Sequence, residues 1–76
     1  MALRKLRVLC AEGDKTLAEW DNQTITPEQL DQIEAEFNLK MRQGFFAADL
    51  TEGKNLLIKR FDPNADILLI PRVQGG

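Results

Sequence analysis

A single helix signal stands near the middle of this chain, and it restricts the fold more than any other feature. Thr26-Pro27-Glu28-Gln29 opens it: Thr26 can cap, Pro27 suits the first helical position, and Gln29 completes a capping box with acid in the first turn. Leu30, Ile33, Phe37 and Met41 then recur at the spacing of one helix face. Asp31, Glu34 and Glu36 occupy the opposite side and read as a solvated face rather than as paired acid–base groups. Lys40 and Arg42 suit the C-terminal dipole, and Gly44 ends the run after about four turns. One helix can cover only one face of a sheet, so the remaining elements must share a single layer.

The flanks read as strands. Leu6, Val8 and Cys10 alternate with Lys5, Arg7 and Leu9, the period-2 pattern of a strand buried on at least one face. Glu12-Gly13-Asp14 is turn chemistry, and Thr16–Trp20 reads as the return strand of a hairpin. After Gly44, Phe45–Asp49 and Asn55–Phe61 form a second strand pair across the turn Thr51-Glu52-Gly53-Lys54. Asp62–Asp66 is a turn with proline in a favoured position. Ile67-Leu68-Leu69-Ile70 is continuously apolar, the mark of a strand buried on both faces in the middle of a sheet. The helix supplies the crossover that lets this last strand lie beside the first and parallel to it. The expectation is an α+β chain in the order ββαβββ, a mixed sheet of about four to five strands on one helix, which is the β-grasp arrangement.

Composition removes several function classes. The 76 residues suffice for one domain with a thin core. At 43% hydrophobic and 29% charged, the chain is globular rather than disordered. A net charge of −2 gives no electrostatic footprint for non-specific nucleic-acid binding. No apolar run approaches the ~20 residues of a membrane span, and the N-terminus lacks the apolar stretch of a signal peptide. Cys10 is the sole cysteine, so no internal disulfide can form, which suits a reducing cytoplasm. With no histidine, the commonest zinc sites are excluded. With neither histidine nor serine, so are Ser–His and Cys–His nucleophiles. An independent enzyme is not expected, nor is a bound metal or cofactor.

The end of the chain, Ile70-Pro71-Arg72-Val73-Gln74-Gly75-Gly76, points to another kind of chemistry. Glycines without Cβ atoms can lie flat in a narrow tunnel. Arg72 to Gly76 in extended form reach roughly 16 Å at about 3.3 Å per residue. The expected division is a domain over 1–71 and a flexible tail over 72–76 that carries a terminal carboxylate into another protein's active site.

Across nearly its whole length the chain resembles the ubiquitin-like β-grasp superfamily, with Gly-Gly directly after the last strand. The tail is similar to that of the molybdopterin synthase small subunit, where a proline and a valine also precede Gly-Gly. Arg72 resembles an arginine at the same distance from the end of ubiquitin, whereas Gln74 stands where ubiquitin has a second arginine. The resemblance implies that an E1-like enzyme spends its own ATP to adenylate the Gly76 carboxylate. The product then becomes a thioester for conjugation to a target protein, as in ubiquitin-like modifiers. Alternatively it becomes a thiocarboxylate for a biosynthetic synthase, as in the molybdopterin and thiamine sulfur carriers. Gly75 and Gly76 would carry this function, while Arg72, Val73 and Gln74 would guide the tail. If Gly76 is the encoded end, no protease need expose it. A non-covalent β-grasp interaction module is the reading from a different class.

Other residues have plainer expectations. Lys5, Lys15, Lys40, Lys54 and Lys59 read as surface charges rather than acceptors of a second copy's C-terminus. Cys10 reads as a small buried hydrophobe. Trp20, Phe45 and Phe46 read as core, and any of them left exposed would mark a docking patch.

Overall fold

The computed structural model describes residues 3–72 of the chain. It contains β1 (Leu3–Cys10), β2 (Gly13–Asp21), α1 (Pro27–Arg42), β3 (Phe46–Asp49), a short 3-10 turn (Thr51–Gly53), β4 (Leu56–Ile58) and β5 (Ile67–Ile70). The strands form one five-stranded sheet in the order β2-β1-β5-β3-β4. β5 is parallel to β1, with Leu6 opposite Ile67 and Val8 opposite Leu69, and the other pairings are antiparallel. The chain is therefore α+β, with one helix and a mixed sheet.

The helix starts and stops where its local chemistry dictates. The Thr26 hydroxyl accepts from the Gln29 N–H at 3.2 Å, and the Gln29 side chain accepts from the Thr26 N–H at 3.3 Å. At the other end the Gly44 N–H donates to the Met41 carbonyl and the Phe45 N–H to the Lys40 carbonyl, both at 3.1 Å. That pair of bonds is a Schellman cap, and Gly44 adopts the positive φ of 97° that it requires.

Phe37 is fully buried and anchors α1 to Leu6, Val8, Trp20, Ala47, Ile67 and Leu69 on one face of the sheet. Ile33 and Met41 pack against the same cluster. Asp66, just ahead of β5, ties three elements together. Its carboxylate accepts from the Lys5 N–H at 3.0 Å, its carbonyl accepts from the Leu50 N–H at 2.9 Å, and its own N–H donates to the Thr51 hydroxyl at 2.9 Å.

Several expectations are corrected. Cys10 is exposed. Its alternation with Leu6 and Val8 is right, but it pairs with Gly13 at the hairpin tip, and its thiol donates to the Gly13 carbonyl at 2.9 Å. The tip itself is Ala11–Glu12, and β2 begins at Gly13 rather than Thr16. The register slips between Leu6 and Arg7, which pair with Ala18 and Thr16, so Leu17 is the extra residue of a bulge.

The strand expected over Asn55–Phe61 shrinks to Leu56–Ile58. Phe61 leaves the sheet to pack between two rings, 5.6 Å from Trp20 and 5.7 Å from Phe37. Trp20 is core as expected, Phe45 is half-buried, and Phe46 is 50% exposed. In β5, Ile67 and Leu69 are fully buried while Leu68 and Ile70 are only partly covered, because no helix lies over their face.

Candidate functional site: the outer sheet face and the root of the tail

Alternation along each strand assigns two different roles to the two faces of the sheet. Leu6, Ile67, Leu69 and Ala47 point to α1. Their neighbours Phe46, Leu57, Leu68 and Ile70 point away from it. Phe46 lies opposite Ile70, while Ala48 lies between Leu57 and Leu68 in one cross-strand row. Ala48 is buried at 1% exposure between these larger side chains, whereas Leu57 is 74% exposed. Leu3 and Leu9 are also exposed, at the two ends of the outward side of β1, with Lys5 and Arg7 between them.

Charge borders this surface on the hairpin side. Lys5 pairs with Glu19 at 3.5 Å and Arg7 with Asp14 at 3.6 Å, each across the β1–β2 ladder. These pairs are solvent-exposed and add little stability. They separate a polar side of the outer face from an apolar side over β3, β4 and β5.

The chain leaves the sheet at the apolar side. β5 ends at Ile70, and Pro71 lacks the N–H needed to continue the ladder. Arg72 is exposed and lies alongside Gly44, with its Cδ 3.8 Å from where a Cβ on that glycine would sit. Val73, Gln74, Gly75 and Gly76 lie outside the described residues. Of the sequence-derived site residues, the structure thus places Arg72, at the junction of the helix end and the last strand.

Leu57 and Leu56 were not singled out by sequence, although they are the most exposed apolar side chains described. The signal available was an apolar run cut short, Leu56-Leu57-Ile58, followed at once by Lys59-Arg60.

Among the described residues no three of Cys, Asp and Glu come together as a metal site. No helix among them is long and apolar enough to cross a membrane. Among the described residues Asp49 is the one carboxyl whose affinity for its proton is clearly shifted: the hydroxyl of Thr51, then the Thr51 N–H at 2.9 Å, hold it below its ordinary value. It faces a loop rather than a cleft, so the shift reports local structure. Comparison with protein-family models, with curated proteins and with solved structures yields no match.

Proposed function

We propose that this chain is a ubiquitin-like carrier of the β-grasp type, the substrate of an E1-like adenylating enzyme. The Gly76 carboxylate attacks the α-phosphorus of the enzyme's ATP, releasing pyrophosphate and forming an acyl adenylate. A cysteine thiol then displaces AMP to give a thioester, from which the chain passes to an amine on a target protein. The catalytic groups belong to the partner. The small domain contributes position: a rigid surface for docking and a tail that threads.

One observation carries this reading. The central strand of the sheet is the last element, and it delivers exposed Arg72 at the margin of an apolar outer face. A partner that covers Phe46, Leu57 and Ile70 therefore stands beside the root of a Gly-Gly tail.

A second reading is a sulfur carrier, in which a sulfur donor displaces AMP and leaves a terminal thiocarboxylate. The order of Pro71 and Val73 ahead of Gly75-Gly76 favours it. In the third reading, a non-covalent interaction module, the outer face alone is functional.

The test is incubation of the chain with ATP and an E1-like enzyme from the same organism, followed by intact mass with and without a sulfide source. Attachment to a lysine of another protein indicates the modifier. A gain equal to one oxygen-for-sulfur exchange indicates the sulfur carrier. Deletion of Gly76 abolishes pyrophosphate release in both cases. Unchanged partner binding with no pyrophosphate release from the intact chain leaves the interaction module.

A further inference from the structure

At the C-terminal end of α1 a groove of about 580 Å³ opens between the helix, β3 and the end of β4. Its size falls within the ~300–1,000 Å³ of clefts that hold ligands. Met41, Phe45, Ala47 and Ile58 give it apolar walls, and Lys59 and Arg72 stand at its rim. A third cation is close by, since the Lys40 ammonium lies 5.2 Å from the centre of the Phe45 ring. None of the described residues lining the groove is acidic.

The ion pairs lie elsewhere. Arg4 with Asp66, Lys5 with Glu19 and Arg7 with Asp14 all take their cation from β1. Among the described residues Lys40, Lys59 and Arg72 have no carboxylate within 4.0 Å. A chain of net charge −2 thus presents, among its described residues, an apolar groove rimmed by cations outside any ion pair. The groove also adjoins β4, one of the two edge strands of the sheet.

We propose that this groove receives a short extended segment of a partner protein whose apolar side chains are flanked by Asp or Glu. The apolar side chains replace water against Met41, Phe45 and Ile58. The flanking carboxylates meet Lys40, Lys59 and Arg72, and the segment's backbone runs along the open edge of β4. A lipid surface has the same combination of apolar and anionic chemistry, but a concave groove leaves a flat bilayer out of contact with its walls. This binding does not depend on activation of the tail.

Isotope-labelled full chain titrated with two blocked peptides tests the proposal by amide chemical shift. Both peptides carry alternating Leu and Val; one is flanked by Glu and the other by Lys. The Glu-flanked peptide shifts the Phe45, Ala47, Ile58 and Lys59 amides, and added salt weakens it, because exposed charges attract less when screened. Lys59→Glu raises its Kd roughly tenfold, as expected for about 1.4 kcal/mol. Lys59 is exposed, so the variant folds, which its own spectrum verifies. Removal of residues 73–76 leaves the affinity unchanged, so a failure of tail activation and a failure of groove binding are separate results.

Equal shifts from the Lys-flanked peptide, or no shift from either, overturn the proposal. So do groove shifts that grow with protein concentration alone, which indicate a second copy. Groove shifts induced by phosphatidylserine vesicles in place of peptide overturn it in favour of a membrane.

Discussion

Gly44 holds a position that few other residues could. Its φ of 97° closes the Schellman cap, and an added Cβ would meet only Arg72 at ordinary contact distance. The cost of Gly44→Ala is therefore conformational rather than steric, about 1–2 kcal/mol. In a domain of this size the melting temperature should fall by roughly 4–8 °C per kcal/mol, read by circular dichroism. Thr51 is a second such residue, because its hydroxyl serves Asp49 and also accepts the Asp66 N–H at 2.9 Å. Asp49 is depressed in the folded state, so its contribution is complete above the unfolded carboxyl pKa near ~4. It is lost as pH falls further, through the folded value. Thr51→Val should cost about 1–3 kcal/mol at neutral pH, since it strips partners from buried groups. Urea unfolding should show the gap to wild type narrowing below about pH 4 as Asp49 protonates. A gap that stays constant through that range would mean that the carboxylate takes no part.

Elements differ in how far their own residues define them. The helix was legible to its first residue because cap, stripe and stop are all local, from Thr26 to Gly44. The strands were legible as strands but not as positions in a sheet. Leu56-Leu57-Ile58 and Ile67-Leu68-Leu69-Ile70 have nearly the same composition, yet on the shared outer face Leu57 is 74% exposed while Leu68 is partly covered. That difference arises from long-range pairing, which makes one strand an edge and the other the centre, and no local pattern encodes it. Cys10 shows the same limit: its parity was right, but the strand outruns the core at the hairpin tip. For the candidate site, sequence supplied the tail motif, while the outer apolar face came only from topology. The β4–β5 connection holds the turn expected over Asp62–Asp66, closed by the Ala65 N–H on the Asp62 carbonyl at 3.1 Å, and it is anchored to β2 as well. The Trp20 indole N–H donates to the Pro63 carbonyl at 2.8 Å, and Phe61 stacks beside it. Trp20→Phe should therefore cost about 1–3 kcal/mol by orphaning that carbonyl. Its signature is local: the Ala65 amide, bonded to the Asp62 carbonyl, should exchange faster with solvent than amides of the β1–β5 ladder. Uniform acceleration throughout the sheet would show that the connection is not a separate unit.

For the molecule as a whole, the decisive fact is that one helix covers one face of five strands. A domain this small has only a few kcal/mol to lose. Phe37 is where that margin is concentrated, because it is fully buried and is the helix residue that joins both the strand cluster and the Phe61 ring. Phe37→Ala should cost about 3–5 kcal/mol through lost burial and the cavity left behind. That is comparable to the whole stability, so its thermal transition should broaden or vanish. Phe46 is chemically the same side chain on the opposite face, and it is 50% exposed. Phe46→Ala should change stability far less, close to the ~0.5 kcal/mol of a surface substitution. If the outer face is for docking, this second variant should instead slow pyrophosphate release with an E1-like enzyme, through weaker binding rather than through unfolding. The pair of variants separates what folds the chain from what the chain presents. Equal destabilisation by both would mean that the outer face is part of the core, and no partner would then be needed to account for its exposed side chains.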